Sequence, residues 1–147
     1  MRIAIGCDHR GLDLKKALID DLVQMGHSYQ DFGSFSAEAV DYPDIAWDVA
    51  QAVVGRDFGF GVLICYSGLG MSIAANKVRG ARAALCDYVK TAKLARQHND
   101  ANILCLAAMN RPGTAIKILE AFLAAQFEGG RHQLRVDKIK AIEAKYK

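Results

Sequence analysis

The sequence predicts an α/β fold, a three-layer Rossmann-like sandwich with a five-stranded parallel sheet and a C-terminal helix. Five short apolar runs of strand length alternate along the chain with longer segments whose apolar residues recur every three or four positions. The chain has 147 residues, and no linker, internal repeat or low-complexity tract interrupts it. We therefore expect residues 1–147 to form a single domain.

The first half of the chain supplies three of the predicted strands, and each of them precedes a segment with helical periodicity. Gly26 stops the first of these helices, and Pro43 suits the first turn of the second. A loop over residues 33–42 joins the second strand to the second helix. The predicted strands are residues 2–7, 28–32 and 62–64, and the predicted helices are residues 12–25, 41–54 and 71–80.

The second half continues the alternation and ends in two helices that Gly129 and Gly130 separate. Asp87 is the predicted N-cap of the first helix in this half, because a short acidic side chain can accept a hydrogen bond from a first-turn N–H. The predicted strands are residues 81–85 and 103–107, and the predicted helices are residues 88–97, 114–127 and 131–147.

The central stretch 61–77 (GVLICYSGLGMSIAANK) places Cys65 at the end of a strand and before a glycine-containing turn. In open α/β sheets, ligands bind at the carboxyl ends of the strands. Glycines let the backbone approach a ligand, and the start of a helix favours an anion and the reactive thiolate form of a cysteine. Cys65 is therefore a candidate base or nucleophile. The alternative is a buried small residue without a chemical role.

Polar residues at two other segment ends are further candidates. Asp8 and His9 follow the first strand, so they belong to the same predicted edge of the sheet as Cys65. Asp8 is either a site carboxylate or a helix N-cap. His98 lies at the end of the helix predicted over residues 88–97, where a histidine is usually a capping or surface residue.

The net charge of +3 is unevenly distributed, with +4 on residues 131–147 and −1 on the remaining 130 residues. This segment lacks interleaved aromatic residues and any nucleic-acid-binding motif, so we expect no nucleic-acid partner. It is predicted to be a solvated amphipathic helix with some cations directed at a small anion. Leu134, Ile139 and Ile142 are its predicted apolar positions.

The four cysteines have no zinc-type C-x-x-C pairing, which favours free thiols over disulfides or a metal site. No signal-like leader and no apolar run of transmembrane length is present, so we expect a cytoplasmic protein without a membrane partner. The turn after the first strand lacks Gly-x-Gly-x-x-Gly, which argues against a dinucleotide. We expect no cofactor. The cysteines are Cys7, Cys65, Cys86 and Cys105.

Five ordered motifs resemble one known family, that of ribose-5-phosphate isomerase B and galactose-6-phosphate isomerase. The resemblance covers essentially the whole chain, and it implies an aldose–ketose isomerase that acts on a phosphorylated sugar through an enediolate without a metal. The motifs are residues 7–9 (CDH), 41–44 (DYPD), 67–77 (SGLGMSIAANK), 96–102 (RQHNDAN) and 129–132 (GGRH).

The resemblance also implies roles for individual residues. Cys65 is similar to the base that moves a proton between C1 and C2, and Ser67 stands where the family usually has a threonine that relays protons between O1 and O2. Asp8 and His98 correspond to residues that help to open the furanose ring. Backbone N–H groups of residues 66–70 correspond to those that hold the enediolate oxygens. The implied substrate and phosphate contacts are His9, Tyr42, Tyr66, Gly68, Leu69, Gly70, Asn99, Arg111, Arg131 and Arg135.

Two departures from the family pattern put the substrate in question. Tyr66 stands where the family usually has glycine, and Arg10 stands where alanine or glycine is common. Tyr66 either packs outward or forms part of the pocket wall. Pentose, hexose and tetrose phosphates all remain candidate substrates.

The resemblance further implies a homodimer or a tetramer whose sites are shared between subunits. The apolar helix predicted over residues 114–127 fits such an interface and fits the core of a monomer equally well.

Overall fold

Five parallel strands form one sheet in the computed structural model, which describes residues 1–146. The spatial order is β2-β1-β3-β5-β4, and every neighbouring pair is parallel. The predicted five-stranded parallel sheet is confirmed. The strands are β1 (Arg2–Cys7), β2 (Ser28–Asp31), β3 (Phe60–Cys65), β4 (Ala83–Leu85) and β5 (Ile103–Ala107).

Six helices connect and follow the strands among the described residues. They are α1 (Leu12–Gln24), α2 (Tyr42–Val54), α3 (Leu69–Ala75), α4 (Val89–Asn99), α5 (Pro112–Ala124) and α6 (Arg131–Glu143). None of the helices in this part of the chain has the length and apolar character needed to cross a membrane.

Two apolar clusters cover the two faces of the sheet and give the predicted three layers. On one face α1, α4 and α5 pack on Ile3, Ile5 and Ile64, and on the other α2 and α3 pack on Ala4 and Leu63. Side chains that alternate along β1 and β3 therefore enter opposite clusters, as the pleat of a strand requires.

Helix α5 is part of the monomer core. Ile118, Leu119 and Phe122 are fully buried against the sheet, and the Phe122 ring meets Phe60 edge-on with 5.6 Å between ring centroids. Of the two explanations for this apolar segment, burial in the monomer accounts for these side chains.

Several predicted helix boundaries differ from those in the structure. Helix α3 ends at Ala75, short of Gly80, because the Asn76 side chain forms two hydrogen bonds with the backbone of Ala83 and so joins the helix end to β4. Helix α5 begins at Pro112, which suits a first helical position. Helix α6 ends at Glu143, and Lys147, at the end of the predicted segment, lies outside the described residues.

The predicted N-cap at Asp87 was wrong, and of the two alternatives for Asp8 the structure excludes the N-cap. The N-cap of α1 is Gly11, and Asp8 instead accepts a hydrogen bond from the Arg10 N–H at 2.9 Å. The N-cap of α4 is Tyr88, whose N–H lies 3.4 Å from Thr91 Oγ1, while Asp87 accepts a hydrogen bond from Asn110.

The predicted apolar face of α6 was also wrong. Leu134 is 68% exposed and Ile142 is 54% exposed, whereas the buried residues of this helix are His132 and Val136. Helix α6 lies against α4, so the side chains turned toward α4 are the ones removed from solvent.

Candidate active site

A cleft of about 600 Å³ opens where the strand order reverses, beyond the carboxyl ends of β1 and β3. Such a switch point is the usual ligand position in an open α/β sheet. The pairing of Cys7 with Ile64 aligns the two strands, so the residues that follow them meet at this edge. The residues that line the cleft are Asp8, His9, Arg10, Tyr42, Cys65, Tyr66, Ser67 and Gly70.

Cys65 ends β3 and lines the cleft although only 4% of its surface is exposed. Its carbonyl accepts a hydrogen bond from the Ala108 N–H at 2.8 Å, which holds the strand end against the residue that follows β5. The thiol therefore sits on a fixed backbone and faces the cleft. All four cysteines are buried free thiols.

The other cysteines lie in environments that oppose ionisation. Burial raises the pKa of Cys7 and of Cys86 to about 11, and burial also raises the pKa of Cys105. Lys15 partly offsets the effect at Cys7. These three thiols remain protonated near neutral pH, which is typical of structural cysteines.

The turn after Cys65 needs glycine at two positions. Gly68 has φ +75, and a Cβ there would lie 2.5 Å from Leu85 Cδ1. A Cβ on Gly70 would lie 2.5 Å from Cζ of Tyr42, so the missing side chain lets the Tyr42 ring lie over the turn. The N–H of Leu69 donates to Ser67 Oγ at 3.3 Å, which orders the turn.

Asp8 and His9 reach the cleft from the turn after β1. Asp8 is 7% exposed, and its Oδ1 accepts the Arg10 N–H. His9 Nδ1 accepts the Val40 N–H at 3.3 Å, so the proton of the neutral ring resides on Nε2. That leaves an N–H donor for an anionic ligand.

Arg10 and Tyr66, the two departures from the family pattern, contact each other. The Arg10 guanidinium carbon lies 5.1 Å from the centroid of the Tyr66 ring, which is within cation–π distance. Tyr66 is 53% exposed and lines the cleft together with Arg10. The side chain of Tyr66 is therefore part of the cleft wall in this chain.

A second group of predicted residues lies on the opposite side from the cleft, near the amino ends of the strands. Helix α4 leaves the carboxyl end of β4 and runs back, so His98 and Asn99 lie near the amino end of β5. The carbonyl of Asn99 accepts a hydrogen bond from Arg82 Nε, and Arg82 immediately precedes β4. The amino and carboxyl ends of the five-residue strand β5 lie roughly 15 Å apart, at about 3.3 Å per residue.

Arg131 and Arg135 lie with this second group, because α6 begins beside the end of α4. The rings of His98 and His132 stack with centroids 4.1 Å apart and planes 9° apart. Arg135 Nη1 lies 3.5 Å from His132 Nδ1. Arg131 and Arg135 share one face of α6, since residues four apart are neighbours on a helix.

His132 and Glu128 complete this second group, although the sequence predicted no role for either residue. Burial lowers the pKa of His132, and His98, Arg131 and Arg135 lower it further, whereas Glu128 raises it. The signal that marks His132 in the sequence is the motif at residues 129–132, which ends on this residue.

The structure thus places the predicted residues in two groups, one at the carboxyl ends and one at the amino ends of the strands. Arg111 follows β5 at the N-cap of α5, on the same edge as the cleft. Gly68 and Leu69 belong to the turn that follows Cys65. His98, Asn99, Arg131 and Arg135 do not reach the cleft within one chain.

The fold and the cleft define a class of protein: a doubly wound α/β protein with a thiol, a carboxylate and an imidazole at the switch point of its sheet. Within that class, the chain belongs to the Ribose/Galactose Isomerase family, whose model matches residues 3–139.

Relatives that span nearly the whole chain include proteins named ribose-5-phosphate isomerase B. The chain is 48% identical over 143 residues to ribose-5-phosphate isomerase B of Escherichia coli. This match covers 97% of the chain and 96% of the Escherichia coli protein. It is similar to the solved structure of ribose-5-phosphate isomerase B of Clostridium thermocellum, with a TM-score of 0.98, 47% identity and full coverage of both chains.

A further solved relative contains a sugar phosphate. Ribose-5-phosphate isomerase B of Mycoplasma genitalium, with bound ribulose-5-phosphate, matches with a TM-score of 0.92 and 45% identity. The match covers 97% of this chain and 96% of that one.

Proposed function

We propose that this protein is an aldose–ketose isomerase that interconverts ribose 5-phosphate and ribulose 5-phosphate through an enediolate. The observation that carries the proposal is the cleft, where Cys65 lies with Asp8 and Ser67 at the switch point of the sheet. Membership of the family and the ribulose-5-phosphate complex of a relative with 45% identity support this substrate. No step of the proposal requires a metal ion.

Cys65 is the proposed base for the proton transfer. Its thiolate removes the proton from C2 of the open-chain aldose, and the C2–H electron pair forms the C1–C2 double bond of the enediolate while the C1 carbonyl pair moves to O1. The proton then returns to C1, and Ser67 relays a proton between O1 and O2. N–H groups of the turn 66–70 hold the oxyanion, because fixed donors stabilise charge that develops during a reaction.

Ring opening precedes this transfer in the proposed mechanism. The C1–O4 bond breaks with its electron pair moving to O4, which takes a proton from the His98 side chain. The Asp8 carboxylate accepts the proton of the 1-hydroxyl as the C1 carbonyl forms. Asp8 is 7% exposed and lines the cleft, so one acceptor is already in place.

The phosphate is assigned to N–H donors from both groups. His9 and Arg111 approach from the edge that carries the cleft, and Arg131 and Arg135 come from α6. Guanidinium groups suit this role because their planar N–H pairs match two phosphate oxygens. Tyr42 and Asn99 are the proposed contacts to the sugar.

The division of these residues between two edges supports a homodimer with shared sites. His98 and Cys65 lie roughly 15 Å or more apart in one chain by strand length, so a second copy must supply His98 to the cleft. A twofold dimer does this twice with one surface. Leu134 and Ile142 on α6, exposed in the single chain, are the apolar residues that such a contact would cover.

Other phosphorylated sugars are the alternative substrates. Hexose 6-phosphates such as allose or galactose 6-phosphate, and tetrose phosphates, share the phosphate and the open-chain chemistry. A non-catalytic sugar-phosphate-binding module is the alternative function, and it would need the cations without Cys65 and His98.

A coupled assay that follows ribulose 5-phosphate formed from ribose 5-phosphate tests the proposal, with a panel of phosphorylated aldoses beside it. Cys65→Ser should lower turnover at least about a hundredfold, because a hydroxyl is a far poorer base than a thiolate. Its circular dichroism should match that of the unaltered protein. An inactive protein, or near-normal turnover of Cys65→Ser, would contradict the proposed chemistry.

A further inference from the structure

We propose that Glu128 is a positioning residue for ring opening, whose carboxylate holds the His98 side chain in its stack with His132. This inference rests on the proposed function, because it assigns His98 the role of proton donor to the ring oxygen. Glu128 lies outside the sequence motifs and does not line the cleft.

One carboxylate oxygen faces both imidazoles. Glu128 Oε2 lies 3.6 Å from His132 Nε2 and 3.9 Å from His98 Nε2, which are ion-pair distances. The two rings are nearly parallel, 4.1 Å apart, so both Nε2 atoms meet the carboxylate from the same side. Contacts of this length in an unliganded site commonly tighten when substrate binds.

The backbone fixes the carboxylate at this place. The Glu128 N–H donates to the Gln97 carbonyl at 3.0 Å, which joins the segment before α6 to the last turn of α4, next to His98. Two glycines with positive φ, +66 at Gly129 and +56 at Gly130, then turn the chain into α6 and bring His132 under His98.

The two stacked imidazoles lie in unequal surroundings. The side chain of His132 is 5% exposed and lies beside Arg131 and Arg135, whereas that of His98 is 36% exposed. Burial and the two arginines disfavour a charge on His132, and Glu128 favours one. Glu128 is also the one anion within ion-pair distance of His98 among the described residues, so it links the exposed ring to the buried one.

The same three side chains include the ligand types of a zinc site, but their arrangement does not suit one. The lone pair of an imidazole nitrogen lies in the ring plane, and two nearly parallel planes do not direct their lone pairs at a common point. Arg131 and Arg135 would also repel a dication. A carboxylate that contacts two imidazoles fits this geometry better than a metal ion.

The test compares Glu128→Gln, which removes the charge and keeps the shape, with Glu128→Asp, which keeps the charge. Asp137→Asn is the matched control, since it removes an exposed acid of α6 whose partners are Gln133 and Lys140. The side chain of Glu128 is 50% exposed and its backbone makes the bond to Gln97, so the variants should fold.

The measurements are kcat and KM for ribose 5-phosphate and inhibition by inorganic phosphate. Glu128→Gln should lower kcat about tenfold or more, a part of the hundredfold or greater effect of acid–base groups, while KM and phosphate inhibition change less than about twofold. Glu128→Asp should restore part of the loss, and Asp137→Asn should match the unaltered protein. Unchanged kcat in Glu128→Gln, or a loss that appears in phosphate inhibition, would overturn the inference.

An arm without turnover separates this inference from the proposed function. In nitrogen-15 spectra of histidine-labelled protein, the ring signals of His98 should move in Glu128→Gln and stay in place in Asp137→Asn. Ring signals that are the same in all three proteins would overturn the role of Glu128 even in an active isomerase. If the unaltered protein shows no isomerase activity, the proposed function is overturned instead.

Discussion

At the scale of the residue, Cys65 differs from the other three cysteines in what its side chain faces. It lines a cleft of about 600 Å³, whereas Cys7, Cys86 and Cys105 do not. Cys7 and Cys65 both end a strand, but Cys7 enters the apolar cluster on one face of the sheet and Cys65 enters the cluster on the other face.

Iodoacetamide should therefore label Cys65 first. Thiols with a pKa of about 11, as at Cys7 and Cys86, are protonated at pH 8 in all but about one molecule in a thousand, so they react slowly below that pKa and faster as the pH approaches it. Peptide mass spectrometry after brief treatment gives the order of labelling. Substrate should protect Cys65, and initial labelling of Cys86 would contradict the assignment.

The contact between Arg10 and Tyr66 bears on which sugars the cleft admits. Tyr66→Gly removes a ring that lines the cleft, and Arg10→Ala removes the cation that holds it. Each change should shift the ratios of kcat/KM among four-, five- and six-carbon sugar phosphates. The double variant should shift these ratios by less than the product of the two single shifts, because the residues are in contact. An equal change for all sugars would show that the pair forms no part of specificity.

At the scale of the element, the sequence predicted all five strands and all six helices of the described residues, because apolar periodicity reports burial directly. It failed where the deciding partner is distant in sequence. The end of α3 depends on Asn76 reaching Ala83, and the inward face of α6 depends on the stack between His132 and His98. No local pattern contains those contacts.

The candidate site shows the same limit. The motifs predicted its residues, but the topology of the sheet determines which of them lie together. Asp8 and Cys65 meet because β1 and β3 are neighbouring strands, whereas His98 lies near neither of them in one chain. Glu128 had no signal of its own, since its importance comes from the position of two histidines that lie 34 positions apart.

Helix α6 carries a prediction of its own. Arg135→Ala should weaken binding of substrate and of inorganic phosphate together by about ten- to a hundredfold, the range for a hydrogen bond to a charged group. Lys138→Ala, on the same helix and exposed, is the matched control. Isothermal titration with inorganic phosphate measures both, and equal affinity in the two variants would assign Arg135 to the solvated surface.

At the scale of the whole molecule, the proposed dimer predicts complementation. Cys65→Ser and His98→Asn should each be nearly inactive alone. After the two are unfolded together and refolded as a mixture, about a quarter of the sites should combine an intact Cys65 with an intact His98, since half of the dimers are mixed and each has one complete site. Recovery of about a quarter of full activity in the coupled assay checks this, and no recovery would argue that each site belongs to one chain.

The placement of the two groups at opposite edges of each sheet also has a thermodynamic consequence. In the proposed dimer, a ligand that is bound by Cys65 and Asp8 of one chain and by Arg135 of the other has no complete site on a separated chain. Binding and association are then linked, so the sugar phosphate strengthens the assembly by as much as the assembly strengthens its binding. In a dilute cell extract, the amount of metabolite would help to decide how much of the enzyme exists in its working form.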